Sequence, residues 1–351
     1  DYTEAQSGER QQQAPIEAAW TGRPDGGELT FKYRHPELDL ATILRLSGAG
    51  ATGWAYADRD GSVVLCKLTL RPRNTRTICI EVAPVFRGET MEPIYGLDGV
   101  ATGDASADRA AEEWIGGCAR LSAANPTVQT AWDRAAADLG SLHLLEGEGP
   151  ERFTPAAGIP NYIGLFGRDT LMSSWQSALL NPATLRGTLR LVGRLNAEQR
   201  DDRYDAQPGK VVHQRQFGPL ATLGLTPFLH YYGDYSAPGL FLLGIATDFA
   251  HTGDKDFFLA MRDKALGTLE WMDRDGDLDG DGFYEYRTLA GDAGIKNQGW
   301  KDSGQAILHA DGRMVADPVA VCEIQGLYYA AKQAMALAFA GIGEHATAAE
   351  L

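Results

Sequence analysis

The pattern of hydrophobic and polar residues changes near residue 105. Between 28 and 86, short runs are rich in β-branched and aromatic residues, and apolar and polar side chains alternate in several of them. Alternation with a period of two predicts half-buried strands, and Asp60–Gly61 between two runs indicates a hairpin. We therefore predict an antiparallel β-domain over 27–105, after a loose lead-in over 1–26 that is polar and rich in Gln, Gly and Pro.

After residue 105 the apolar residues recur every three or four positions, which is the spacing of one helix face. The clearest stripes are Trp132, Ala136, Leu139 and Leu142; Phe241, Ile245 and Phe249; Phe258, Met261, Ala265, Leu269 and Met272; and Ile324, Leu327, Tyr328, Ala331 and Met335. They predict about six long helices in a second domain over 106–351. Long loops at 146–167, 201–233 and 274–316 separate these helices, and such loops in a compact domain are usually functional.

The net charge and the cysteine pattern limit the classes of binding partner and the cellular compartment that we expect. The chain carries a formal net charge of −15 at pH 7, which repels nucleic acids and anionic lipids, so we expect neither as a partner. No apolar run approaches the roughly 18 residues of a membrane-spanning helix, and no signal peptide is recognisable. The cysteines form no C-x-x-C pair and no metal-ligand pattern, which favours free thiols in a cytoplasmic protein.

The first segment with candidate chemistry is AAGIPNYIGLFGRDTLMSS, over 156–174. Its aromatic-rich approach, which includes Tyr162, ends at Arg168 and Asp169, where a helix is predicted. Adjacent Arg and Asp side chains form a fork that donates to one hydroxyl and accepts from another, as sugar recognition requires. The structural alternative is that Asp169 serves as the N-cap of the helix.

The second segment is IKNQGWKDSGQAI, over 295–307. Trp300 offers a flat face to a sugar ring, and Asp302 follows two residues later in a predicted loop. A carboxylic acid that an aromatic ring shields from water keeps its proton more readily, which suits a general acid. An Asp before Ser–Gly is also a common turn residue, so the motif alone leaves a structural role for Asp302 open.

The third segment is DRDGDLDGDGFYEY, over 273–286. Its acidic residues match the opening ligand positions of a calcium loop: Asp277, Asp279 and Asp281. The residue expected to close such a loop is Thr288, and Glu285 lies three positions earlier. Calcium binding is therefore one hypothesis, and an acidic structural or substrate-facing loop is the other.

A fourth segment, PGKVVHQRQFGPL, covers 208–220. Its His213 has no clear partner along the sequence, so a histidine that is satisfied within the fold or exposed to solvent is the simpler interpretation.

The order and spacing of these motifs are more specific than any one of them. The series AGIP…FGRDT, PGK…H, YYG, DGDGFYEY, NQGWKDSG and CEIQG resembles bacterial proteins of the glycogen-debranching-enzyme (amylo-α-1,6-glucosidase) type, over about 27–351. These are relatives of glucoamylases, trehalases and processing α-glucosidases. The resemblance implies an N-terminal β-sandwich-like domain followed by an (α/α)6 barrel, of which this chain holds about the first half.

The resemblance also implies an activity and a set of site residues. It implies an exo-acting glycoside hydrolase that cleaves an α-glycosidic bond of an α-glucoside or related sugar with inversion and requires no cofactor. Asp302 is then the general acid, and Arg168 and Asp169 hold hydroxyls of the terminal sugar. The other substrate-binding candidates are Trp300, Gln298, Lys301, Glu323, His213 and Tyr162.

Inverting catalysis needs a second carboxylate, about 6.5–9.5 Å from the acid, to activate water. The resemblance places this base in the second half of the barrel. We therefore expect the missing C-terminal half, from the same polypeptide or a partner segment, to supply it. Glu285 and Glu323 are the candidate substitutes within this chain.

Three positions depart from the family pattern. Gln214 stands where the family has Glu after His, Ser236 begins the stretch where it has D-A-T-P, and Gln305 stands where it has Asp. These departures keep two alternatives open. One is an enzyme of this fold that acts on a glucosylated small molecule or an unusual glycoside, and the other is a non-catalytic carbohydrate-binding protein.

Overall fold

The computed structural model describes most of the chain as two separate units. The described residues are 14–23, 26–48, 55–58, 61–64, 70–92, 106–146, 149–159 and 162–351. The units are Thr3–Glu112 and Glu113–Leu351.

The smaller unit is built on an antiparallel sheet with the strand order β1-β2-β3-β6-β7. Its strands are β1 (Ile16–Arg23), β2 (Gly26–His35), β3 (Leu38–Ser47), β6 (Cys79–Phe86) and β7 (Glu89–Thr90). A separate hairpin joins β4 (Ala55–Asp58) to β5 (Gly61–Val64), with Asp58 opposite Gly61. The predicted antiparallel β region is therefore confirmed.

Cross-strand pairs fix the register of this sheet. Arg45 on β3 lies directly opposite Glu81 on β6, and its guanidinium donates to Glu81 at 2.5 Å and to Glu92 at 2.6 Å. Leu29 on β2 and Ala83 on β6 are buried. Opposite charges in register and buried apolar positions both select one pairing over a slipped one.

The larger unit is mainly helical, as the 3.6-residue periodicity predicts. Helix α1 (Ser106–Gly117) spans the boundary between the two units. The longer helices of the larger unit are α2 (Pro126–Ser141), α3 (Gly167–Gln176), α4 (Pro182–Arg194), α5 (Ser236–Thr252), α6 (Lys255–Trp271) and α7 (Cys322–Ile342). Short strand pairs join β8 (His143–Leu145) to β9 (Phe153–Pro155) and β10 (Leu165–Phe166) to β11 (Gln214–Arg215). The predicted helical region after the β region is confirmed.

The core of the helical unit lies where α4, α5, α6 and α7 meet. Phe241 of α5, Phe258 of α6 and Phe339 of α7 are almost fully buried, and the rings of Phe258 and Phe339 are 5.4 Å apart. Burying a side chain of this size contributes about 1.5–3 kcal/mol. Arg186 of α4 also donates to the buried Asp248 of α5 at 2.9 Å, so a partly buried ion pair joins two of the helices.

The beginnings of α3, α5 and α7 gather at one end of the unit. Side chains at or just before these beginnings bind the same loop or one another, as described below for Arg168, Asp234 and Glu323. The last turns of α4 and α6 are also joined here, because Asn196 donates to Thr268 at 3.3 Å. The long connecting loops therefore converge on this end.

Within the described parts of the chain, no helix has the length and apolar character needed to cross a membrane. Cys79, Cys118 and Cys322 carry free thiols, and Cys66 lies outside the described residues.

Gly187 of α4 offers a sharp test of how that helix packs. A Cβ atom at this position would lie 1.9 Å from the carbonyl oxygen of Glu151, so the helix and the 150–155 segment are in backbone contact. Replacing a helical glycine with alanine ordinarily stabilises a helix by about 0.5–1 kcal/mol. We expect Gly187→Ala instead to destabilise the protein by about 1–3 kcal/mol, as forced overpacking does.

Gly326 of α7 is the matched control, because a Cβ atom there meets no atom within 4 Å. Thermal denaturation should show a lower Tm for Gly187→Ala and an equal or higher Tm for Gly326→Ala. An increase in Tm for Gly187→Ala would contradict the close backbone contact.

Candidate functional site

Arg168 joins the two sequence segments that carry the predicted chemistry. Its guanidinium donates to Asp302 Oδ2 at 2.6 Å, to the Gly299 carbonyl at 2.8 Å and to Asp234 Oδ2 at 3.1 Å. Arg168 and Asp302 are 134 positions apart in the sequence. The GRD and GWKD segments, which the sequence analysis assigned to one site, are thus in direct contact.

The Arg168–Asp234 pair is almost completely buried. The exposed fractions of the two side chains are 8% and 0%. Burial acts to lower the pKa of Arg168, but the charges of Asp234 and Asp302 outweigh it and raise this pKa. Burial likewise acts to raise the pKa of Asp234, but Arg168 and His213 reverse the effect and lower it. Both groups are therefore charged at neutral pH, and each depends on the other.

Asp234 also connects the histidine segment and a helix beginning. Its Oδ1 accepts from the N–H groups of Ser236 at 2.5 Å and Ala237 at 2.9 Å, where α5 starts, and its Oδ2 lies 3.0 Å from His213 Nδ1. This carboxylate is the partner of His213 that the sequence pattern does not indicate, and Asp234 is not among the predicted site residues. The N-cap position of α5 is Tyr235, so the capping pattern points only to the beginning of the helix and not to Asp234 as a partner of Arg168.

The backbone before Arg168 explains how the side chain is aimed. β10 pairs with β11, and the Gly167 N–H donates to the His213 carbonyl at 2.6 Å. A Cβ atom on Gly167 would lie 1.9 Å from the Val212 carbonyl oxygen. Only glycine therefore permits this approach, which places Arg168 and His213 on the same buried carboxylate.

Asp169 lies in the first turn of α3. The N-cap position of this helix is Phe166, so Asp169 is not the N-cap residue. Its side chain is partly buried, and burial raises the pKa of the Asp169 carboxyl although the adjacent Arg168 acts in the opposite direction. The helix dipole favours a negative charge at this position, yet desolvation is the stronger effect.

Trp300 and Asp302 form the more open side of the site. The Arg168 guanidinium lies over the Trp300 ring, 5.5 Å from its centroid. The Trp300 residue is 53% exposed and the Asp302 side chain is 43% exposed. The site therefore presents an aromatic face and a carboxylate to solvent above a buried ion pair.

Glu323 holds this loop at the start of α7. Its carboxylate accepts a hydrogen bond from the Trp300 main-chain N–H. Glu323 is exposed and lies in the first turn of the helix. The structure therefore gives it a bracing role toward the turn that carries Trp300.

The other predicted substrate residues are distributed around this centre. Gln298 is fully buried, and its amide N–H donates to Asp205 at 3.1 Å. Lys301 is exposed beside Asp302. Tyr162 is 41% exposed, and its ring lies 5.8 Å from that of Phe166. His213 is buried against Asp234, so Gln298 and His213 support the site from beneath its surface.

A surface cavity of about 330 Å³ lies behind this network. Its polar lining includes Glu198, Gln199, Asp201, Tyr204, His230 and Tyr232. Asp205 follows the lining residue Tyr204, and Tyr231 follows the lining residue His230. The side chains of Asp205 and Tyr231 are buried and hydrogen-bonded to each other at 2.5 Å. Asp205 and Tyr231 in turn bind the Gln298 side chain and the Ile295 N–H, which connects the lining segments to the loop that leads to Trp300. None of the predicted site residues lies in the lining of this cavity.

The acidic loop brings four carboxylates together. Their oxygen atoms lie within 4.8 Å of one another and come from Asp277, Asp279, Asp281 and Glu285. Burial, together with the three aspartates, raises the pKa of Glu285, while the Leu278 N–H that donates to it at 2.8 Å acts in the opposite direction. Thr288, where the calcium-loop pattern expects the closing ligand, donates instead to Asp205. Oxygen ligands of this kind suit Ca²⁺.

No protein-family model matches the chain, and a search of curated protein sequences finds no match. The resemblance to debranching-type glycosidases therefore stays a prediction.

The calcium hypothesis predicts a rise in Tm when Ca²⁺ is added to chelator-treated protein, because a ligand that binds only the folded state stabilises it. Asp279→Asn should abolish the rise, since the amide keeps the loop acceptor but removes a negative ligand. Mg²⁺ serves as the control ion, because it demands stricter octahedral geometry. Equal Tm values with Ca²⁺ and with chelator would leave the loop a purely structural role.

The raised pKa of Asp169 predicts a pH-dependent stability difference. The ionised carboxylate is less favourable in the folded chain than in the unfolded chain, so its charge lowers stability once the pH exceeds the folded pKa. We expect Asp169→Asn to keep or raise the Tm at pH 7. The difference from the natural protein should shrink as the pH falls toward about 4, near the ordinary Asp pKa.

Differential scanning fluorimetry across this pH range measures the effect. Asp292→Asn is the control, because Asp292 is exposed on the loop before Trp300. A Tm that falls by several degrees at pH 7 only for Asp169→Asn would show that the charged carboxylate is stabilising.

Proposed function

We propose that the chain is part of an exo-acting glycoside hydrolase that cleaves an α-glycosidic bond of an α-glucoside or related sugar with inversion. The observation that carries the proposal is the 2.6 Å bond between Arg168 and Asp302. It joins the GRD and GWKDS motifs, whose shared resemblance to debranching-type enzymes suggested one sugar site. The helical unit would then belong to an (α/α)6 barrel, and the β unit to the sandwich-like domain that precedes it.

The chemistry of the site suits a neutral, hydroxyl-rich ligand. Trp300 offers an exposed ring on which a sugar face can stack, and the Arg168 guanidinium packs against that ring. Asp169 and Lys301 supply an acceptor and a donor for hydroxyl groups. Arg168 together with Asp234 and Asp302 carries a small net negative charge, which does not favour an anionic substrate.

In the proposed reaction the Asp302 carboxyl gives its proton to the glycosidic oxygen as the bond from that oxygen to the anomeric carbon breaks. A second carboxylate takes a proton from water, and the resulting hydroxide adds to the opposite face of the anomeric carbon. The products are a free sugar of inverted configuration and the leaving alcohol. A later exchange of protons with solvent restores both carboxyl groups.

Of the two candidate bases within the described residues, Glu323 is the better placed. It is exposed and its carboxylate contacts the turn that carries Asp302 through the Trp300 N–H. Glu285 is buried in the acidic loop and binds the Leu278 N–H. The resemblance assigns the base to the second half of a full barrel, and we prefer that assignment to Glu323.

A non-catalytic carbohydrate-binding protein is the second candidate. Asp302 Oδ2 accepts a hydrogen bond from Arg168, whereas a general acid must donate a proton from its carboxyl group. With Oδ2 engaged by Arg168, the other Asp302 oxygen can accept a hydrogen bond from a sugar hydroxyl without any transfer of a proton. The second candidate therefore predicts sugar binding in calorimetry without turnover.

We expect Asp302→Asn to lower sugar release by about 10²–10⁴-fold, because the amide cannot deliver the proton. The substrates are maltose, isomaltose, trehalose and other α-glycosides, and proton NMR identifies the first anomer formed. Asp292→Asn in the same loop is the matched control and should keep full activity. Early β-anomer from the natural protein supports inverting hydrolysis.

Unchanged turnover by Asp302→Asn would overturn the role of Asp302. Binding without turnover by the natural protein would favour the second candidate, and turnover of other glycosides alone would indicate an altered substrate.

A further inference from the structure

We propose that Asp205 is a positioning residue that holds the turn bearing Trp300 and Asp302 in its working geometry. The consequence for catalysis rests on the proposed function, whereas the positioning itself does not. Asp205 was not among the predicted site residues, and its side chain is fully buried.

The Asp205 carboxylate collects hydrogen bonds from three separate segments. Its donors are Tyr231 Oη at 2.5 Å, Thr288 Oγ1 at 3.1 Å, Gln298 Nε2 at 3.1 Å, the Ala290 N–H at 3.3 Å and the Leu289 N–H. A carboxylate without a proton offers about four acceptor positions, so this one is saturated. The Asp205 side chain therefore joins the 288–298 segment, which leads to the Trp300 turn, to the strand-like segment around Tyr231.

Backbone conformation supports this placement. Asp205 has a φ of 52°, in the left-handed region where Asp and Asn are the favoured residues after glycine. The Asp201 N–H and the Ala206 carbonyl close the surrounding turn at 3.0 Å. The turn thereby presents the carboxylate inward, and an asparagine can adopt the same backbone.

The Gln298 side chain transmits this position to the turn. Its amide N–H binds Asp205, and its amide oxygen lies 3.5 Å from Lys210 Nζ. The Gln298 main-chain oxygen accepts from the Tyr235 N–H at 2.7 Å. Gln298 is thus fixed at three points, two residues before Trp300.

Lys210 balances the buried charge of Asp205. It is almost fully buried, and its ammonium packs over the rings of Tyr235 at 4.8 Å and Trp271 at 5.4 Å. Burial lowers the pKa of Lys210 to about 8, and Asp205 acts against that shift. The group is still mostly protonated at pH 7, so a cation and an anion hold the two ends of one amide.

Asp205 is too deeply buried to contact a substrate. Three further bonds end on the turn that it anchors: Arg168 binds the Gly299 carbonyl and Asp302, and Glu323 binds the Trp300 N–H. Loss of the Asp205 bonds would therefore remove one of the three points that fix Gln298 and would release the 288–290 segment, while these contacts still hold the turn itself. The expected result is a local loosening, distinct from global unfolding.

Hydrogen–deuterium exchange of Asp205→Asn tests the inference without requiring activity. We expect the amides of Leu289 and Ala290 to exchange about 10- to 100-fold faster, because their hydrogen bonds to the Asp205 carboxylate are weakened. The Ile295 amide should also exchange faster, because it donates to the Tyr231 hydroxyl that Asp205 holds in place. Amides within α6 should keep their protection. Asp248→Asn is the matched control, since Asp248 is another buried carboxylate, bound by Arg186 between α4 and α5.

Tyr231→Phe is a second variant in case Asp205→Asn does not fold. It removes the hydroxyl that donates to Asp205 and accepts from the Ile295 N–H at 2.7 Å. The same amides should loosen, with Ile295 most affected. Unchanged exchange at 288–300 in a folded variant, or acceleration no more local than in Asp248→Asn, would overturn the inference.

Kinetics adds the catalytic consequence where the natural protein releases sugar. Asp205→Asn should then lower kcat by about 10-fold or more with a smaller change in KM, as expected when the acid is misplaced. A fall in stability alone would leave kcat per folded molecule unchanged and would contradict the positioning role. Absence of turnover in the natural protein would defeat the proposed function, and the exchange result would still decide the role of Asp205.

Discussion

The buried ion pair between Arg168 and Asp234 is the constraint on which the rest of this end of the molecule depends. Two charges removed from water are costly unless each is paired and its remaining hydrogen bonds are satisfied. Here the carboxylate is also bound by His213 and the first N–H groups of α5, and the guanidinium also binds Gly299 and Asp302. The requirement to satisfy both charges thereby brings the beginnings of α3 and α5, the His213 segment and the loop from Gly299 to Asp302 to a common point.

Beneath this pair lies a second polar layer, in which Asp205, Lys210 and Gln298 are all buried. Apolar side chains in the same space would leave no polar group unsatisfied, whereas a buried polar network with missing hydrogen bonds destabilises the fold. A satisfied network specifies one arrangement of its donors and acceptors. The turn at Trp300 is therefore rigid on its inner side, while its outer side stays open to solvent.

Sequence periodicity predicted the β region, the helical region and the inward faces of the long helices, because those signals are local. The GRD and GWKDS segments were also recognisable, each as a short run. Asp234 and Asp205 were not, since their partners stand 66 and 93 positions away at Arg168 and Gln298. Glu285 joined the acidic cluster through loop closure, which spacing along a calcium-loop template did not anticipate. Sequence patterns do not identify which residues become hydrogen-bond partners when distant segments meet in the fold.

The order of these partners along the chain has a consequence for synthesis. A ribosome delivers Arg168 first, Asp234 later and Asp302 last, and the bond from Arg168 to Asp302 closes a loop of 134 positions. Contacts of such long sequence separation form late, after local helices have assembled. Until the segment that contains Asp302 has been synthesised, the Arg168 guanidinium lacks one of its two carboxylate partners. The aromatic turn is therefore synthesised after α3 and α5, and it gains its contact with Glu323 only when α7 follows it from the ribosome.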